Sequence, residues 1–161
     1  MAIGGSCLCG GVRFEIDRAA GAFEICHCNR CRKLTGAAGL PALEVPADAF
    51  RLLAGAGLIE RYDAPLLYRP PPYRATFCRR CGSPVPFAEP GAESVEVPAG
   101  LLDDDPGVTP DKHIYVDYAP PWDTDDAIPR FTRETIFEHR FGRKWPADRP
   151  ARSHYDSPRE D

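Results

Sequence analysis

Seven cysteines fall into three tight clusters, Cys7–Leu8–Cys9, Cys26–His27–Cys28–Asn29–Arg30–Cys31 and Cys78–Arg79–Arg80–Cys81. Thiols at i, i+2 and i, i+3 aim two soft ligands at one point while the backbone bends away, which is the spacing of a metal site. Four sulfurs complete a tetrahedral zinc site, and three leave one position open. Seven cysteines therefore read as one closed centre plus one open centre. The open position would take water or a substrate atom. A thiol is the natural incoming ligand, because zinc is thiophilic and deprotonates a coordinated thiol.

Residues i and i+2 of a strand face the same side, so Cys7 and Cys9 can reach one ion. Cys78–x–x–Cys81–Gly82 resembles a zinc knuckle, a turn that folds two sulfurs under its own amides, with Gly82 where the chain must leave it. Spacing alone leaves the pairing open: Cys7 and Cys9 can join Cys78 and Cys81, or Cys28 and Cys31. Buried free thiols and a redox pair are the competing readings, and a redox pair would need a βαβ context that the chain does not show. Cys26, Cys28 and Cys31 pack three ligands into six residues and form the candidate reactive centre. His27 is a possible fourth ligand, although strand alternation points it away from Cys26 and Cys28. Arg30, Arg32 and Lys33 flank the loop as candidate ligand-binding residues, offsetting thiolate charge and docking a carboxylate, with Arg79 and Arg80 as further basic neighbours. His113, His139 and His154 stand isolated in the sequence and read as surface or hydrogen-bonded histidines. No His or Glu cluster near the cysteines offers itself as a general acid or base.

The elements that must position these residues are short. Eighteen prolines disfavour long helices, because each removes a backbone donor and fixes φ. Period-two alternation predicts strands over 12–16 and 23–25. Further strands are expected over 40–45, 58–62, 74–78, 85–87, 94–97 and 113–116. One or two helical turns are expected over 29–35, ended by Gly36, and a short turn over 47–50. A second helix is expected over 132–141, stopped by Gly142. Residues 101–107 read as an exposed acidic loop, and 120–123 as a rigid loop carrying Trp122.

At 161 residues the chain fits one domain, expected over 1–146, followed by a loose tail over 147–161. A formal charge of -4 and a pI near 5.6 give no general attraction to nucleic acid or an anionic membrane. The N-terminus shows no apolar signal-peptide core, and no apolar run is long enough to cross a bilayer. A cytoplasmic location is the expectation, and a reducing compartment favours metal over disulfide.

Three linked motifs carry a family resemblance: 5–12 (Gly5–Ser6–Cys7–Leu8–Cys9–Gly10–Gly11–Val12), 26–37 (from Cys26 to Ala37) and 77–84 (from Phe77 to Pro84). Together they resemble the glutathione-dependent formaldehyde-activating enzyme and centromere protein V family, with His113–Ile114–Tyr115–Val116 and Ala119–Pro120–Pro121–Trp122 resembling its C-terminal half. The resemblance implies a mainly β fold, the β-tent, made of short antiparallel sheets clamped by zinc with few short helices. It implies two zinc ions per chain, the second able to fall short of full occupancy. Cys7, Cys9, Cys78 and Cys81 would hold a structural zinc, and Cys26, Cys28 and Cys31 a second, reactive one. The implied activity is that of a carbon–sulfur lyase of the S-(hydroxymethyl)glutathione synthase type, adding a glutathione thiol to formaldehyde. The alternative is a non-catalytic zinc-stabilised module that binds a thiol or a protein partner. Nucleic acid and membrane are not expected as partners, and the sequence does not specify an oligomeric state.

Overall fold

The computed structural model describes residues 2–18, 21–63 and 74–146. The expected tail over 147–161, with His154, lies outside the described residues. Ten strands are present among the described residues: β1 (Ile3–Ser6), β2 (Arg13–Ile16), β3 (Phe23–Cys26), β4 (Leu40–Pro46), β5 (Phe50–Ala54), β6 (Ile59–Asp63), β7 (Arg74–Cys78), β8 (Ser94–Pro98), β9 (Lys112–Ile114) and β10 (Arg130–Phe131). Two helices, α1 (Asn29–Thr35) and α2 (Arg133–Phe141), complete a mixed fold with several short 3-10 turns.

The strands form three open sheets, in the orders β1-β2-β5, β10-β9-β3-β4-β8 and β6-β7. Alternation decides how the first two meet. Phe14 and Ile16 of β2 face Phe23, Leu43, Val45, Val95 and Val97 of the five-stranded sheet, and together they make the main core. Each fully buried side chain of this size contributes about 1.5–3 kcal/mol. Gly5 pairs with Phe14 across β1 and β2. A Cβ at Gly5 would fall 2.2 Å from the Phe14 ring, so the ring lies flat on β1 only because that position is glycine. A second cluster, Cys7, Val12, Cys78 and Val85, joins this sheet to the β6-β7 hairpin.

The expectation of purely antiparallel sheets is corrected: β9 runs parallel to both β3 and β10. Parallel neighbours need a long crossover, and the long chain between β3 and β9 supplies it. The expected strand over 85–87 is absent, and only an isolated bridge links Phe77 to Pro84. Pro84 and Pro86 remove the ladder donors there, leaving Val85 N–H bonded to the Thr76 carbonyl at 3.0 Å. The strand expected to reach Val116 stops at Ile114, where Tyr115 turns into the left-handed region.

Both helices have the ends expected from sequence. α1 closes on Gly36 at φ 69°. α2 starts at Thr132, whose hydroxyl accepts from Thr135 N–H, and stops at Gly142 at φ 63°. α1 rests on Leu40 and Ala42 through Cys31. α2 is tied back to the five-stranded sheet by the Arg140–Glu24 ion pair.

Candidate metal centres and active site

The four-cysteine centre is built from two facing turns. After β1 the chain turns so that Gly10 N–H donates to the Cys7 carbonyl at 2.8 Å, bringing Cys9 back beside Cys7. After β7, Gly82 N–H donates to the Cys78 carbonyl at 2.7 Å and closes the second turn. Leu8 N–H donates to Ser83 Oγ at 3.0 Å and locks the turns together. Sγ–Sγ distances are 3.5 Å for Cys7–Cys9 and 3.9 Å for Cys9–Cys78, and all four sulfurs lie within 4.8 Å of one another. Tetrahedral zinc–sulfur bonds would set sulfurs about 3.8 Å apart. The cluster can hold a metal ion, and it is no disulfide pair. The Cys81 thiol is brought down to about 6 by its hydrogen bonds with the Ser83 hydroxyl and backbone N–H, which favours the thiolate a metal needs. Arg79 pairs with Glu60 at 3.9 Å, and Arg80 reaches Gly11. Both belong to this end of the molecule and do not line the three-cysteine cavity.

Cys26 ends β3, Cys28 caps α1 with extended backbone, and Cys31 lies in the first helical turn. Their three sulfurs also lie within 4.8 Å of one another and can hold a metal ion. The Cys28 thiol is driven down to about 2 by hydrogen bonds from the Cys26 and Cys31 thiols, then by the Cys31 backbone N–H and the Arg30 charge. Cys26 and Cys31 are pushed up in turn by the same mutual contacts. The trio shares its protons unequally, and a cation between the sulfurs would remove the reason for holding them. His27 turns away from the sulfurs. Its Nε2 lies 2.7 Å from His113 Nδ1, and its Nδ1 lies 3.0 Å from the Ala38 carbonyl oxygen. His113 Nε2 reaches the Asp126 carboxylate at 3.1 Å, so His113, isolated in the sequence, is half of a buried histidine pair. Burial pushes His27 below its usual value, offset by the nearby Asp123 carboxylate.

The three cysteines open onto a cavity of about 670 Å³. Its floor is the outer face of the five-stranded sheet, where Glu24 and Cys26 of β3, Glu44 of β4 and Glu96 of β8 alternate with the core residues behind them. Arg30, Tyr115, His139 and Arg140 form walls. Arg140 and Lys112 both pair with Glu24, Lys112 at 3.5 Å. Glu44 and Glu96 stand opposite each other across β4 and β8. Desolvation by the cavity walls raises the Glu96 carboxyl above its usual value, helped by the charges of Cys28, Glu24 and Glu44.

Of the basic residues singled out in the sequence, Arg30 lines the cavity. Arg32 instead donates to the Tyr118 carbonyl oxygen at 2.6 Å, and Lys33 is exposed outside the lining. Glu24, Glu44, Glu96, Tyr115, His139 and Arg140 were missed. The signal for the glutamates was present in Phe23–Glu24–Ile25–Cys26: alternation places Glu24 and Cys26 on one face, and an acidic residue on the face of a metal ligand is not merely solvated.

A family model described as glutathione-dependent formaldehyde-activating enzyme matches residues 2–118. A Halomonas elongata protein, named provisionally as a member of that class, is 32% identical over 126 residues, spanning 76% of this chain and 80% of its own length. A crystal structure of a Rhodobacter sphaeroides protein shares the fold, with a TM-score of 0.50 at 21% identity over 80% of this chain and 99% of that one.

Proposed function

We propose a function from this premise: the chain belongs to the glutathione-dependent formaldehyde-activating enzyme family. Its three-cysteine centre joins a thiol to an aldehyde carbon, glutathione and formaldehyde being the pair, as a carbon–sulfur lyase of the S-(hydroxymethyl)glutathione synthase type. The observation that carries this reading is a trio of sulfurs, one ligand short of a closed tetrahedral set, opening onto a cavity lined by both charge signs. Cys26, Cys28 and Cys31 would hold zinc, and zinc so held supplies a charge that favours thiolate over thiol. Cys7, Cys9, Cys78 and Cys81 would hold a structural zinc, giving the zinc-clamped β-tent form of this fold. Unpaired thiols in both clusters suit a reducing, cytoplasmic setting.

The chain's own groups then orient the thiol. Glutathione carries one ammonium and two carboxylates. Glu44 and Glu96 on the floor suit the ammonium, and Arg30 on the wall suits a carboxylate. In the bond-forming step the sulfur electron pair attacks the carbonyl carbon, and the π pair moves to oxygen. The proton lost by the thiol reaches solvent, and the new oxygen takes one back. Exchange NMR of the glutathione–formaldehyde adduct at equilibrium tests the reading, using zinc-loaded protein, a Cys28→Ser variant and no protein. Exchange accelerated only by protein with both zinc and Cys28 is the expected result. Exchange at the uncatalysed rate, from folded and fully loaded protein, would reject this substrate pair and favour the thiol-binding module.

A further inference from the structure

Tyr115 is the one non-glycine residue with positive φ among the described residues, at φ 57° and ψ 40°. That conformation is unfavourable for a bulky L-residue, and such residues concentrate where a side chain must be aimed. The aim is visible in β9. Lys112 and Ile114 line the cavity, whereas His113 faces the other way into the pair with His27. Regular alternation would send Tyr115 to the side of His113, away from the cysteines. The left-handed turn after Ile114 reverses this and brings Tyr115 onto the cavity wall. Ile114 is the register partner of Cys26, so the ring stands next to the strand end that carries the first sulfur. Among the described residues its hydroxyl has no hydrogen-bond partner. A phenol keeps its proton at neutral pH.

We propose that Tyr115 donates a hydrogen bond, through its phenolic O–H, to the aldehyde-derived oxygen of the thiol–aldehyde adduct, making it a catalytic residue for the reaction proposed above, on which this inference rests. As the carbon–sulfur bond forms, the carbonyl π bond opens and its electron pair collects on oxygen. Tyr115 stabilises that charge while keeping its own proton, and solvent supplies the proton that neutralises the oxygen. In the reverse direction the same bond holds the adduct hydroxyl as the carbon–sulfur bond breaks. Two other proton-bearing groups of the cavity are engaged or set back in the sheet. Glu96 stands on β8, two strands from Cys26, roughly 10 Å of sheet spacing away. The His139 ring packs on Phe131 with centroids 5.1 Å apart.

Tyr115→Phe removes the hydroxyl and keeps the ring. Its adduct exchange should fall by about 10- to 100-fold, the lower part of the range for loss of one oxyanion donor. The KM for glutathione, zinc content and thermal midpoint should be unchanged. Wild-type exchange from Tyr115→Phe would overturn the proposal. A second readout does not depend on turnover. In protein labelled with 13Cζ-tyrosine, the resonance missing from Tyr115→Phe identifies Tyr115. It should shift when glutathione is replaced by its formaldehyde adduct, and not when glutathione is replaced by S-methylglutathione. A shift without accelerated exchange would sink the lyase reading while keeping Tyr115 as the group that recognises the adduct oxygen. Bound adduct with no shift would overturn the role of Tyr115 whatever the exchange rate.

Discussion

Cys28 is the residue on which the three-cysteine cluster turns, since it caps α1 and receives hydrogen bonds from both other thiols. Cys28→Ser should lower bound zinc from two to one per chain by elemental analysis, with the far-UV circular dichroism unchanged, because the cysteine lies in the loop outside the main core. Two neighbouring arginines should separate cleanly. Arg30 faces the cavity, so Arg30→Ala should raise the KM for glutathione and spare stability. Arg32 is tied to the Tyr118 carbonyl at 2.6 Å, so Arg32→Ala should cost about 1 kcal/mol in urea unfolding and leave KM alone. The convergence of sulfurs within each cysteine cluster was legible in the sequence, because spacing alone brings them together, whereas the meeting of Cys7 and Cys9 with Cys78 and Cys81 was not. Arg30 and Arg32 were not separable there, because two residues on one short helix differ only in the face they present, and that depends on where α1 docks.

Elements were legible where the backbone itself signals. Gly36 and Gly142 mark the ends of α1 and α2, and alternation marks β2, β4 and β8. β1 passed unnoticed because Gly4 and Gly5 carry no side chains to alternate, and their role appears only with the Phe14 ring against them. The parallel seat of β9 was invisible, since nothing local tells a three-residue strand which neighbour it will find. That seat is pinned by the His27–His113 contact at 2.7 Å. His113→Phe would leave a buried His27 nitrogen unpartnered, at a cost of about 1–3 kcal/mol, and should weaken zinc retention by the Cys26–Cys28 loop in a chelator competition. The β6-β7 hairpin carries its own acid sensitivity. The Arg74 guanidinium, hydrogen-bonded to Asp63 at 2.7 Å, holds that carboxyl below its ordinary value. The contribution is therefore present above the unfolded carboxylate range of about 3.9 and is lost as pH falls through the lower folded value. A thermal-midpoint profile from pH 6 to 2 should be flatter at its acid end for Asp63→Asn than for the natural chain.

At the scale of the whole molecule, the two cysteine clusters serve different parts of the architecture. The four-cysteine centre bridges the turn after β1 to the turn after β7, and so fastens the β6-β7 hairpin to the β1-β2-β5 sheet. Cys78→Ser should therefore release amide protection in β6 and β7 first, with β4 and β8 still protected, by hydrogen exchange. Early exposure of the five-stranded sheet instead would mean that the centre does not act as a fastener. At this scale the chain carries a formal net charge of -4, with surface charges paired as in Arg51 with Asp17, and no described helix is long and apolar enough to cross a membrane.

The distance along the chain between His27 and His113, 86 positions, has a consequence for how the protein comes into being. A ribosome delivers the six-residue cysteine loop long before the strand and helix that wall its cavity. During that interval the three thiols are an open chelating peptide, without the barrier of a finished pocket. An ion offered during synthesis would meet an accessible loop, whereas one offered to the folded chain would meet a formed cavity walled by Tyr115 and Arg140.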